Sequence, residues 1–534
     1  MSLTARRTDR APFDERVAWV LRVNRTLGAD GRWTRAKRFA AAFHGGSWGR
    51  LLSESSVSRW ETGGSRPSRA AISRYEEILE LDPGEITATV DTIRRYVGTP
   101  GAPAGAGTTS DQDAAATAEL DTLLDRVLSG GIMTGARWDR LSTLVTAAPH
   151  LVIAPRSARQ GITERLVSEM IIAHGRPWRQ RFEALNRLFG HETLGREAVA
   201  ACAALAADRE NQIFIETVGA LDGSRHPDAS AHVIAQLHDP TNDRALRGAL
   251  LACLRKVRFG HFTPGQRRVL VPRIGDLMRD PLFHADAVPV AAVLNPRAGV
   301  PFAGLDGVAA LDPTVGPETA PALAHPVPHG AAAVIRRVFD ATVAGLPREA
   351  QSDARDATLL TLIGEILLHP ASDRRLYAAM LVASTPYGTP LAAALAAELR
   401  PTAADRVELN VRLLAGLRVL GGQAERPTVE RLVTAARLPR SVVDAAAFAI
   451  GHLRGTSDRG FWEAALRHHA HRWRARRDPP SAAALTGIVY SLGIAGQRRI
   501  LADVRDDPES PAPSRTAARW WLNLPGHVYD SSRL

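Results

Sequence analysis

Residues 53–67 read S-E-S-S-V-S-R-W-E-T-G-G-S-R-P. Ser53 is placed to cap a helix with its hydroxyl. Val57 and Trp60 stand three apart and share one face, which is expected to be buried. Glu54, Ser55, Ser58 and Arg59 are left to project elsewhere. Gly63 and Gly64 end the helix, and Pro67 keeps it from resuming. The stretch is a short helix built to expose one face.

Its flanks carry helical patterning too. A first helix is expected over residues 12–27, with Phe13, Val17, Val20, Leu21 and Leu27 on its apolar side. Thr34 is placed to cap a second, running to about residue 43, with Phe39, Ala40 and Phe43 inward. Ser68 caps a further helix over 69–81, and one more follows over 85–97. Residues 1–98 thus form a compact, all-helical head.

The stretch 53–67 resembles the recognition helix of the lambda-repressor/Cro-like (XRE-type) helix-turn-helix family, whose motif runs S-x-S-x-V-S-R-W-E-x-G with a proline after it. The likeness is close over these residues and loose over the rest of the head. It implies that Glu54, Ser55, Ser58 and Arg59 meet base edges, Arg59 bonding guanine O6/N7 and Glu54 accepting from cytosine N4. It also implies that the second helix crosses the DNA backbone, with Thr34, Arg35, Lys37, Arg38, Arg66 and Arg69 on phosphates. Val57 and Trp60 belong to the core in that pattern, and Glu61 steadies the helix–turn junction. The chain departs from the family between Phe43 and Ser53, where nine residues, H-G-G-S-W-G-R-L-L, replace the usual three or four. Either the angle between the two helices widens, or Trp48, Leu51 and Leu52 fold back to fill the gap.

Charge sets the head apart. Residues 1–75 hold 15 Lys and Arg against 6 Asp and Glu, a net +9 of the chain's +11. The rest of the 534 residues is close to neutral, so a basic head sits on a neutral body. Only Lys37 and Lys256 are lysines, and arginine supplies nearly all the positive charge. Cys202 and Cys253 form neither a disulfide framework nor a zinc pattern. The N-terminus lacks the apolar run of a signal peptide, and no segment reaches the ~18 apolar residues that span a bilayer. A cytoplasmic, nucleoid-associated protein that engages no membrane is expected.

Beyond the head, residues 99–113 are rich in Gly, Ala, Pro and polar residues and read as a flexible linker. Helical patterning resumes over 114–280, breaks in a Pro/Gly-rich insert at 281–330, and continues over 331–534. A weak repeat runs through the body, centred on Leu221, Leu420, Leu453 and Leu492, each among small residues. Leu254 follows Leu221 by 33, Leu453 follows Leu420 by 33, and Leu492 follows Leu453 by 39. Stacked helical hairpins produce such periods. The fold expected is all-α: a small N-terminal helix-turn-helix bundle and a long α-solenoid, HEAT-like, with TPR-like pairing as the alternative.

No G-x-x-x-x-G-K-[ST] and no H-E-x-x-H occurs. His468, His469 and His471 lie among Arg467, Arg472, Arg474, Arg476 and Arg477, which reads as a solvated helix face rather than a metal site. No enzyme activity, cofactor or metal is expected. The function expected is a sequence-specific transcriptional regulator, a homodimer on double-stranded DNA whose solenoid senses a protein or small-molecule effector. The alternative is a helical-repeat scaffold whose head binds protein.

Overall fold

Apolar residues at three- and four-residue spacing, with aromatics at only 5% of the chain, favour packed helices over sheets. The computed structural model describes residues 11–28, 31–46, 48–96, 110–294, 331–347, 356–369, 371–435 and 437–534. Among them are 27 α-helices and no β-strand, so the all-α class holds. The helices are α1 (Ala11–Leu27), α2 (Ala36–Ala42), α3 (Glu54–Glu61), α4 (Arg69–Ile78), α5 (Thr87–Tyr96), α6 (Ser110–Leu128), α7 (Gly135–Ala147), α8 (Arg156–Ile172) and α9 (Gly175–Phe189). There follow α10 (Gly195–Ala207), α11 (Phe214–Gly219), α12 (Pro227–His238), α13 (Asp243–Phe259), α14 (Pro264–Arg279), α15 (His284–Leu294), α16 (Ala331–Ala344), α17 (Ala357–Leu368) and α18 (Ser372–Ala383). The last are α19 (Gly388–Glu398), α20 (Val407–Leu420), α21 (Arg426–Val433), α22 (Arg440–Ala449), α23 (Arg459–Arg476), α24 (Pro479–Ile494), α25 (Arg498–Asp506), α26 (Ala512–Asn523) and α27 (Gly526–Ser532).

Two compact units divide the chain. One combines Met1–Val90 with Gly307–Asn523, the other Asp91–Asp306 with Leu524–Leu534. The segments expected as a head and as a second run of repeats therefore fall largely in the same unit. Residues 99–109 of the expected linker and 295–330 of the expected insert lie outside the described residues. Helix α15 takes in residues assigned to that insert, because Ala287 and Val290 bury an apolar side despite Pro289.

In the first unit α1 is buried on more than one side. Phe13, Val17, Trp19, Val20, Leu21 and Val23 are all within the core, as are Asn24 and Arg25. One side faces α3. The other meets distant residues: Arg16 pairs with Glu365, Trp19 Nε1 donates to Asp356, and the Asn24 amide donates to the Ser384 carbonyl at 2.8 Å. The Trp19 and Tyr387 rings lie parallel, 6.1 Å apart.

The C-terminal helices of this unit pack in a regular order. Helices α18, α20, α22, α24 and α26 each touch the next, while α17, α19, α21, α23 and α25 flank them. The small residues of the repeat make this approach possible. A Cβ on Gly421 would stand 2.9 Å from Leu453, and one on Gly493 would enter the Trp521 ring. Leu420, Leu453 and Leu492 are fully buried there.

The second unit is built from the last part of α5, from α6–α15 and from α27. Helices α7, α8 and α9 meet around the buried Glu169, which accepts from Trp138 Nε1 at 2.7 Å, Arg165 at 2.8 Å and Arg181 at 3.3 Å. Helix α27 packs on α8, and the Leu534 carbonyl accepts the Gly135 N–H at 2.7 Å. Cys202 and Cys253 are free thiols, and burial pushes both up to about 12. Among the described residues no helix is long and apolar enough to cross a membrane.

Candidate nucleic-acid interface

Helix α3 forms as its sequence dictates. The Ser53 hydroxyl accepts the Ser56 N–H at 3.2 Å, and Gly63 takes a φ of +77° just beyond the last turn. Val57 is completely buried. Glu54, Ser55, Ser58 and Arg59 are all exposed. Four residues expected on one outward face are thus brought together by a helix whose opposite face is locked into the head. Trp60 is only half-buried, with its ring 5.7 Å from Phe43 and 6.3 Å from Trp48.

Glu61 closes that inner face. Arg25 of α1 grips its carboxylate with Nε and Nη2, each at 2.7 Å, and the Tyr75 hydroxyl donates to it at 3.1 Å. Nη1 of the same arginine donates to the Trp33 and Thr34 carbonyls, both at 2.7 Å. One side chain therefore ties α1, α3 and the approach to α2 into a fixed arrangement. Burial works against the charge on Arg25, but Glu61 outweighs it and holds the guanidinium above its ordinary range. Burial and the neighbouring carboxylate push the Tyr75 phenol far up.

Thr34, Arg35, Lys37 and Arg38 are exposed at the start of α2. Thr34 does not cap it: the N-cap is Arg35, which makes no side-chain cap bond. The reason is local, since Arg25 draws the Thr34 carbonyl inward and the chain enters the helix one residue later. Arg32 and Arg38 both lie over the Trp33 ring, at 5.0 and 5.7 Å. Arg66 is exposed, but both Nε and Nη2 bond Asp14 Oδ2, at 2.8 and 2.6 Å. Arg69 is half-buried in the first turn of α4, which Ser68 caps through the Ala71 N–H at 3.1 Å.

The described residues of the nine-residue turn form a small scaffold. Gly45 and Trp48 exchange backbone hydrogen bonds at 2.9 and 3.0 Å. Gly45 and Gly46 sit at φ of +115° and +55°, values that suit glycine. Trp48 is buried, 5.3 Å from Phe43, and Arg74 donates to the Ala42 and Phe43 carbonyls at 2.9 Å each, satisfying the end of α2. Of the three residues expected to fill the gap, Trp48 does so, Leu52 is half-buried and Leu51 stands in solvent. Arg50 lies over the Trp48 ring at 4.5 Å.

Arg25, Tyr75 and Arg50 carry roles that no motif announced. For Arg25 a signal exists: it follows Leu21 by four and so falls on the apolar stripe of α1, where a charge needs a buried partner.

The histidine cluster of α23 is not a wholly solvated face. His469 is buried, and its Nε2 donates to the Val433 carbonyl at 2.9 Å. Burial brings its pKa down to about 4. Among the described residues no group of three His, Cys, Asp or Glu is arranged to hold a metal ion. Compared with known proteins, the chain matches no family model, no curated protein and no solved structure.

Proposed function

We propose that residues 1–98 are a helix-turn-helix head that reads double-stranded DNA, and that the protein is a sequence-specific transcriptional regulator. The observation that carries this reading is the division of α3: Val57 and Glu61 are locked inside while Glu54, Ser55, Ser58 and Arg59 all face solvent. A basic rim supports it, with Arg35, Lys37 and Arg38 exposed on α2 and nine of the eleven net charges in residues 1–75. Arg66 is a weaker phosphate contact than its sequence suggests, since Asp14 already neutralises it. The ordered stacking of α18, α20, α22, α24 and α26 supports an irregular HEAT-like solenoid for the C-terminal helices. Such an array suits recognition of a protein or small-molecule effector. A homodimer on a two-part operator fits the small reading surface of one head.

The test compares variants on a selected duplex. Arg59→Ala is expected to cost about 1–3 kcal/mol on the preferred site and to relax one base position. Arg38→Ala is expected to weaken all sequences alike and to lower the salt dependence by about one counterion. Genome-wide crosslinking should give discrete peaks that vanish in the Arg59→Ala strain. Negligible binding to any duplex at low salt would instead favour a scaffold whose head binds protein.

A further inference from the structure

We propose that the turn between α2 and α3 is itself a reading element, in which Leu51 packs on the C5-methyl group of a thymine beside the bases met by α3. The inference rests on the DNA reading above. Leu51 is 84% exposed, the most exposed large apolar side chain among the described residues. On one side the Gly45–Trp48 bridge and the buried Trp48 ring anchor the turn, with the Arg50 guanidinium laid over the indole. On the other, Ser53 begins α3 two residues later. The leucine thus stands in solvent between two anchored points of the chain, Trp48 and Ser53.

Its neighbours indicate what it meets. Leu51, Arg50, Ser53, Ser56 and Arg59 line one recess of about 460 Å³, so the leucine and the guanine-reading candidate Arg59 share a rim. Trp48, Leu52 and Trp60 form the rest of its lining, so two guanidinium groups and two hydroxyls surround an apolar surface, which suits the major groove, anionic at its edges and carrying thymine methyls among its base-edge hydrogen-bonding groups.

The experiment uses the full-length protein and the duplex it selects from a random pool, resynthesised with uracil in place of thymine one position at a time. Loss of the methyl at one position beside the α3 contacts is expected to weaken wild-type binding about three- to fourfold. Leu51→Ala should bind the thymine and uracil duplexes equally, with the affinity the wild type shows for uracil. Its melting temperature should match the wild type, since the side chain it loses stands in solvent. Wild-type binding indifferent to every uracil, or full thymine preference in Leu51→Ala, would overturn the inference while leaving sequence-specific DNA binding in place. Failure to bind any duplex would overturn the DNA reading and this inference with it.

Discussion

Glu61 ends α3 facing inward, and a carboxylate there is tolerated only because Arg25 and Tyr75 satisfy it. Removing one partner strands the other charge in the core. Glu61→Ala is expected to destabilise the head by about 3–5 kcal/mol, read from denaturant unfolding. The double variant Arg25→Met/Glu61→Leu should recover only part of that loss, because it removes the buried charge but leaves the Tyr75 hydroxyl and the Trp33 and Thr34 carbonyls without these partners. Lys256 supplies a second test at this scale. It is fully buried in α13, donating to the Ser224 carbonyl at 2.6 Å and the Ser230 hydroxyl at 3.3 Å. Burial brings its pKa from 10.5 down to about 8. Between those values the unfolded chain holds a proton that the folded chain has released, so raising the pH through this window favours folding. The stability of the wild type relative to Lys256→Met should accordingly rise by up to about 3 kcal/mol from pH 8 to pH 10.5, in parallel denaturant titrations. A flat difference across that range would mean that the ammonium group keeps its ordinary affinity for protons. Glu61 was legible, since its place in the motif marks it as structural. The grip of Arg25 was far less so, because in an arginine-rich chain one more arginine on an apolar stripe is a faint signal.

At the scale of the element, what could be read from the sequence was what local chemistry decides. Ser53 and Ser68 cap their helices because the hydroxyl and the N–H it accepts are three residues apart. Thr34 fails as a cap because its backbone is claimed by an arginine nine residues earlier, which no cap pattern registers. The repeat was legible in its letters, but its cause lies between helices. Gly493 follows Leu492 because α26 lays the Trp521 indole directly on the glycine. Gly493→Ala should therefore destabilise the stacked helices by about 1–3 kcal/mol through overpacking. Combined with Trp521→Ala, the glycine substitution should lose most of its effect, the non-additivity expected of residues in contact. Additive losses in that double-mutant cycle would show that the close approach does not govern the packing of α24 on α26.

For the whole molecule, the decisive contacts join residues far apart in the chain. Helix α1 is buried around most of its circumference, and such a helix belongs between two partners. Its α3 side was legible as the apolar stripe of a small bundle. Its other side, carried by Arg16, Trp19 and Asn24, was not, because the partners stand more than 330 residues away and leave no periodic trace beside them. The head up to Val90 thereby belongs to the same unit as α16–α26. Helix α1 then responds to changes at the far end of those contacts. Tyr387→Ala removes the ring stacked on Trp19, and Glu365→Ala removes the acceptor of Arg16. Either substitution should speed amide exchange in α1 by on the order of tenfold, equivalent to ~1.4 kcal/mol of local stability, while residues 69–78 change less. Hydrogen exchange read by mass spectrometry on the full-length chain resolves the two segments. Unchanged exchange in α1 would mean that the head holds its first helix without help from the distant residues, and an effector acting on α16–α26 would then have no mechanical route through α1 to the helix proposed to read DNA.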